Sequence, residues 1–388
     1  MFDYLNWRGD LTFEQSAFNE VDNLIISEMS YTTFDKFIDS TSKYTVKQLS
    51  DIFFSNVSKE EIDANKSFVK EAPYVLKAMA ESNRFKDAVM HNFISKIDKE
   101  STEQFCAFCL DLSDGTTFIV FRGTDDTLIG WREDFLLSYT TIKAQKEALQ
   151  YLKENIKPNK KYRIGGHSKG GNLAEYACVW LEEEKQNQIL NIYSNDGPGN
   201  KSTFLPENYI EIYARLKDKL IKFVPEIDIF GAIYSNKVDS IVIKSDGNLL
   251  IKHNAPNWNV LGTSFVRSEE SIETQISTKT FKEFLNSVNE QDKKEFVDEL
   301  FNSLADAGFT NISEISSGGL PVFIDVIRKF SNLNEDTKET AKLLLDIILK
   351  NSKTTIINEA NVIKDNVADK LVSAKNTVID KLKNINNK

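Results

Sequence analysis

The sequence predicts an α/β fold, a mostly parallel sheet flanked by helices, and three observations carry that expectation. Strand-like and helix-like segments alternate from about residue 116 to 224, the order a parallel sheet covered by helices requires. The run Tyr162-Arg163-Ile164-Gly165-Gly166-His167-Ser168-Lys169-Gly170-Gly171-Asn172-Leu173-Ala174-Glu175-Tyr176 passes from a strand pattern to a helical one through a glycine-rich turn with one serine at its apex. From about residue 265 the glycine and strand signals fade and helical segments dominate, which adds a C-terminal helical region to the core. The organisation expected is a helical part over 1–100, a core over 101–265 and a helical region over 266–388.

Along the chain, Phe18 to Met29 and Phe68 to Ile94 carry apolar residues at helical spacing. Glu103 to Leu112 and Thr116 to Phe121 read as a hairpin closed by Ser113-Asp114-Gly115, because Asp-Gly between apolar runs favours a tight turn. Ile142 to Ile156 is helical and Pro158 ends it. Ile189 to Tyr193 and Leu220 to Val224 are strands, with a helix over Asn208 to Lys217 between them. Ile241 to Lys244 and Leu249 to Lys252 suggest a last hairpin that delivers His253. Ser316-Ser317-Gly318-Gly319-Leu320-Pro321 reads as a hinge, and Ile356, Ala360, Ile363, Val367, Leu371, Ala374, Val378, Leu382 and Ile385 form one stripe of a terminal helix. That stripe docks on its own chain, on a second copy, or peripherally on a membrane surface.

Composition narrows the function. A net charge of −10 and a pI near 5.1 give no broad attraction to nucleic acid. No apolar run reaches the length of a membrane span, and the first ten residues have neither a basic start nor an apolar stretch, so a cytoplasmic location is expected. Three cysteines, Cys106, Cys109 and Cys178, are too few for a disulfide framework. Cys106 and Cys109 form a C-x-x-C on a strand, where residues three apart face opposite sides, so they read as buried thiols rather than metal ligands.

The frame Gly166-His167-Ser168-Lys169-Gly170 has the spacing a nucleophilic serine needs. At a sharp strand-to-helix turn the flanking glycines let the chain close, and the helix after it aims free N–H groups at a developing oxyanion. Gly-His-Ser-Lys-Gly-Gly-Asn-Leu-Ala-Glu-Tyr resembles the nucleophile elbow of α/β-hydrolases, and within them a bacterial group of lipase-like proteins related to the class three lipases. Those lipases usually carry an aliphatic residue where Lys169 stands. Phe121-Arg122-Gly123-Thr124-Asp125-Asp126, followed by Trp131 and Asp134, is similar to their Phe-Arg-Gly-Ser/Thr segment. The resemblance implies that Thr124 belongs to the oxyanion hole beside the N–H of Lys169. It extends over about residues 100–260, and more loosely over Met1 to Phe34.

A serine nucleophile needs a base, and the base an orienting carboxylate. Of the three histidines, His167 sits in the turn beside Ser168 and cannot swing onto it, and His91 precedes the core. His253 follows a strand after the elbow, the place that the serine, acid, histidine order predicts. The acid is Asp228 or Asp196: Asp228-Ile229 resembles the Asp-Ile segment of class three lipases, which favours Asp228, while the Gly-Pro-Gly setting of Asp196 resembles a structural turn. The expectation is therefore a lipase- or esterase-like serine hydrolase acting on a small-molecule or lipid ester, without metal or organic cofactor. A thioesterase or peptidase of the same fold, or an idle hydrolase-shaped protein that interacts through its C-terminal helices, are the alternatives.

Overall fold

A computed structural model describes residues 1–65, 67, 69–98, 103–125, 127–137, 140–226, 239–247 and 252–269, and within 294–311 it describes 294, 298, 301, 302, 304–306 and 308–311. The chain divides into two compact units, Met1–Thr340 and Ala341–Lys388, and all the described elements belong to the first. The expected hinge at 316–321 and the striped terminal helix lie outside the described residues.

The N-terminal part contains helices α1 (Phe2–Arg8), α2 (Glu20–Met29), α3 (Val46–Asn56), α4 (Lys59–Ala64) and α5 (Ala72–Glu81), with a short strand β1 (Tyr44–Thr45) before α3. The core continues through β2 (Val89–Asp98), β3 (Glu103–Asp111), β4 (Thr117–Phe121), α6 (Leu128–Leu136), α7 (Lys143–Asn155), β5 (Tyr162–His167), α8 (Lys169–Trp180) and α9 (Glu183–Gln186). Next are β6 (Ile189–Asn195), α10 (Tyr209–Leu216), β7 (Leu220–Pro225) and β8 (Ser240–Ile243), and a small ribbon of β9 (Val260–Leu261) and β10 (Ser264–Phe265).

Strands β1 to β8 form one sheet in sequence order. The pairs from β1 to β4 are antiparallel and those from β4 to β8 parallel. The result is a mostly parallel sheet flanked by helices, the α/β-hydrolase-like class that the sequence predicts.

Side-chain alternation sorts the two faces. Cys106, Phe108, Leu110, Phe118 and Val120 join α1, α2, α3 and α5 in one core. Phe105, Ala107, Cys109, Ile119 and Phe121 join α7, α8 and α10 in the other. Cys106 and Cys109 thus face opposite sides of the sheet, all three cysteines are buried and free, and burial pushes the thiols of Cys106 and Cys109 up to about 11 and about 12.

One expectation needs correcting. The segment Phe68 to Ile94 is not one helix: α5 stops at Glu81 and the chain continues as β2, which carries His91. The strand's period of two is broken by a bulge between His91 and Ile94, with Asn92 at φ 53°. The extra residue shifts the alternation and imitates helical spacing. For the last expected hairpin, β8 is present and pairs in parallel with β7, whereas 249–251 lie outside the described residues.

Helix α2 lies against the strand that leads to Ser168, and it is buried along nearly its whole length although it carries Asp22, Asn23, Ser27 and Glu28. Its start is a capping box between Asn19 and Asp22. Asp22 is matched by Arg84 at 2.6 Å, with both side chains inaccessible to solvent, so its charge is buried with a partner. Arg122, at the end of β4, donates to the carbonyls of Ser30 and Thr32 just beyond the helix, where a cation also complements the helix dipole. Among the described residues, no helix is long and apolar enough to cross a membrane.

Candidate active site

Three parallel strands deliver the residues of interest at their carboxyl ends, where open α/β sheets place their sites: β4 ends before Thr124, β5 before Ser168 and β6 before Asp196. Ser168 has φ 57° and ψ −130°, a left-handed conformation that costs a non-glycine residue about 1–3 kcal/mol. The turn closes because Gly170 has no Cβ, which would strike the carbonyl of Phe121 in the neighbouring strand. The Ser168 N–H donates to the carbonyl of Asn195 at 2.9 Å, which joins the ends of β5 and β6.

A neutral network fastens that junction to α2. Asn23 and Asn195 exchange side-chain hydrogen bonds of 2.9 Å in both directions, and Asn195 Nδ2 also donates to the carbonyl of Gly166 at 3.1 Å. On the other side, Asn172 of α8 donates to the carbonyls of Pro198 and Gly199 at 3.0 and 3.1 Å. The loop that carries Asp196 is thereby held against the elbow helix.

His253 is brought back by a turn that the chain secures at Lys252. The Lys252 ammonium meets Glu226 Oε1 at 2.6 Å and also donates to the Ser245 carbonyl. The indole N–H of Trp258 donates to the Lys252 carbonyl at 3.1 Å. The structure places His253 Nδ1 2.5 Å from Asp196 Oδ2, with the carboxylate side chain 1% exposed. Asp228 lies outside the described residues. Of the two carboxylates weighed from sequence, Asp196 is the one that the described structure brings onto His253.

His167, set aside as a base, links the elbow to the histidine loop. Its Nε2–H donates to the His253 carbonyl at 2.7 Å; a carbonyl only accepts, so Nδ1 of the neutral ring is the acceptor for the Tyr31 hydroxyl at 3.0 Å. The two imidazoles lie 4.6 Å apart, centroid to centroid. Burial, and then the neighbouring His253, pull the His167 pKa well below its ordinary value, so the ring is neutral. His253 is therefore anchored at its backbone by the residue next to Ser168 and at its ring by Asp196.

On the opposite flank, Thr124 is buried and its hydroxyl donates to Asp134 Oδ2 at 2.5 Å. Lys169 is 1% exposed. Its ammonium turns into the protein and donates to Glu133 Oε2 at 2.7 Å and to the carbonyl and side-chain oxygens of Gln104, each at 3.0 Å. Burial alone would lower the Lys169 pKa, but the facing carboxylates of Glu133 and Asp134 outweigh it and raise it. Its positive charge is thus committed inside the protein. Burial also pushes the Asp134 carboxyl up to about 7, against the opposing pull of Lys169 and of the Thr124 hydrogen bond. The sequence assigned no role to Tyr31, Gln104 or Glu133, and named Asp134 only as part of the segment that resembles the class three lipases; the available signal was the adjacent acidic pair nine and ten residues after Thr124. No group of three or more histidine, cysteine or acidic side chains suited to a metal occurs among the described residues.

Against known proteins, residues 79–302 match the model of a family described as Mbeg1-like. The crystal structure of M37 lipase is a weak structural match, with a TM-score of 0.34 and 17% identity over 58% of this chain and 76% of that one. No curated protein sequence matches the chain. The family model spans more than half of the sequence, and the chain belongs to the Mbeg1-like family, a lipase-like branch of the α/β-hydrolases.

Proposed function

We propose that this protein is a serine hydrolase that cleaves a carboxylic ester through an acyl-enzyme. The observation that carries the reading is the 2.5 Å contact between His253 Nδ1 and Asp196, made by a histidine whose backbone is tied to the residue beside Ser168. With Nδ1 engaged by a carboxylate, Nε2 is the nitrogen that serves as base, and Asp196 fixes the tautomer and stabilises the imidazolium. Ser168 Oγ attacks the ester carbonyl as His253 takes its proton. The tetrahedral oxyanion lies against the N–H groups of Thr124 and Lys169, at the end of β4 and the start of α8. Collapse expels the alcohol, which receives the proton from His253. Water, activated by the same histidine, then releases the acid and restores Ser168.

The buried position of Lys169 supports an uncharged ester, since the cation beside the nucleophile is paired with Glu133 rather than offered to a substrate anion. Nitrophenyl esters of increasing acyl length test the proposal. Turnover by the wild type that is lost in Ser168→Ala and in His253→Gln is the expected result, whereas equal rates for all three proteins would refute it.

A further inference from the structure

This inference rests on the reading of Thr124 and Lys169 as oxyanion donors and deepens it. Helix α6 brings two successive acidic residues against those donors. Glu133 pairs with Lys169 at 2.7 Å with both side chains wholly inaccessible, and Asp134 accepts the Thr124 hydroxyl at 2.5 Å. One turn earlier stands Gly130, where a Cβ would lie 2.5 Å from Gln104 Oε1 and 2.9 Å from Thr124 Cγ2. The helix is therefore seated closely on both donors. An ion pair that served packing alone would need one carboxylate for one ammonium, yet here a second carboxyl is present. Glu133 Oε1, Asp134 Oδ1 and Gln104 Nε2 are buried without a hydrogen-bond partner among the described residues. A purely structural network would tend to satisfy such atoms.

We propose that Glu133 and Asp134 are positioning residues of the oxyanion hole, one for each donor: Glu133 holds the elbow amide through the Lys169 side chain, and Asp134 decides where the Thr124 hydroxyl aims its hydrogen. A hydroxyl has a single hydrogen to give. An ionised Asp134 accepts it and leaves only the two backbone N–H groups for the substrate oxygen. A protonated Asp134 donates its own O–H to Thr124 Oγ1, and the threonine hydrogen turns to the oxyanion as a third donor.

The groups that act on Asp134 are Lys169, which favours its ionised form, Glu133 and Asp125, which disfavour it, and the Thr124 hydroxyl. The Tyr31 phenol, which senses Asp134 and is kept protonated by burial, also faces this region. The balance puts the carboxyl at about 7, within the range in which a histidine base works. The third donor is thus lost as pH rises through that value. A donor that acts on the transition state changes kcat and leaves KM in place.

The test is the pH dependence of kcat and KM on a nitrophenyl ester for the full chain, its Ser168→Ala control, and the variants Asp134→Asn, Thr124→Val and Glu133→Gln. Wild-type kcat is expected to descend above about pH 7, with KM level. Asp134→Asn, whose amide always donates to Thr124, loses the descending limb. Thr124→Val loses the limb as well and runs on the order of 100-fold slower at low pH. Glu133→Gln removes a like charge and moves the limb to lower pH, a readout independent of the folding of Asp134→Asn. A limb unchanged in Asp134→Asn or Glu133→Gln, or absent from a wild type whose turnover depends on Ser168, overturns this proposal and leaves the nucleophile reading standing. Turnover that does not depend on Ser168 overturns both.

Discussion

Two brackets hold the strand-to-helix turn at Ser168, and they are built from opposite chemistry. Toward α2 the contacts are neutral: Asn23, Ser27 and Asn195 share hydrogen bonds of 2.9 to 3.3 Å, and their geometry does not depend on pH. Toward α6 the contacts are charged: one ammonium, Lys169, stands among Glu133, Asp134 and Asp125. The contrast separates two jobs. A reciprocal amide pair fixes where the backbone goes, because each partner satisfies the other. A buried charge cluster is a costly way to do the same thing, and its advantage lies where protonation has to matter.

The comparison can be broken from the top down. The largest effect belongs to the triad proposed above: Asp196→Asn is expected to lower kcat by about 10⁴-fold, and Asp228→Asn far less, measured in parallel by steady-state kinetics. A comparable collapse in Asp228→Asn alone would transfer the orienting role to that residue.

Next comes the charged bracket. Lys169→Met leaves the Glu133 carboxylate buried without its cation and is expected to cost about 3–5 kcal/mol in urea unfolding. Adding Glu133→Leu should recover much of that loss, because the burial penalty goes with the charge. A double variant no better than the single one would show that packing, not charge, sets the cost.

The neutral bracket should give a smaller and pH-independent effect. Asn195→Ala removes both bonds of the pair with Asn23 and the donor to the Gly166 carbonyl, for a loss of about 1–3 kcal/mol that is equal at pH 6 and pH 8. Smallest is Tyr31→Phe, which removes a single donor to His167 and should cost about 1 kcal/mol.

His167 makes stability depend on pH. Its folded pKa lies below 6.5, so the unfolded state takes up its proton first as the solution is acidified. The stability His167 contributes is therefore present above about pH 6.5 and declines as pH falls below it. His167→Gln should flatten that part of the stability curve, read from thermal melts across the acid range.

Much of the fold is legible in one dimension. Strands β3, β5, β6 and β7 end in Asp111, His167, Asn195 and Pro225, and β4 is followed at once by Arg122 and Gly123, so the pattern stops cleanly; the turn at Ser168 announces itself through glycines that sterics demand. Strand β2 is hidden because the bulge at Asn92 displaces its alternation by one residue. The acid proposed to orient His253 is harder for a different reason. Asp196 and Asp228 follow successive strands, and local context cannot say which end the loop of His253 reaches; the contact spans 57 residues and depends on the tether at Lys252. Least legible is the charged bracket. The motifs mark the places of Lys169 and Asp134, but nothing in the sequence says that their side chains and that of Glu133 are buried against one another; the approach of α6 to the elbow, permitted at Gly130, brings them together.

The central claim is that Ser168 is an activated nucleophile, and a fluorophosphonate probe tests it most directly. Intact mass and peptide mapping of wild type, His253→Gln and Ser168→Ala should show one adduct on Ser168 of the wild type, much slower labelling without His253 and none without the serine. Equal labelling of wild type and Ser168→Ala, or labelling of neither, would contradict the account.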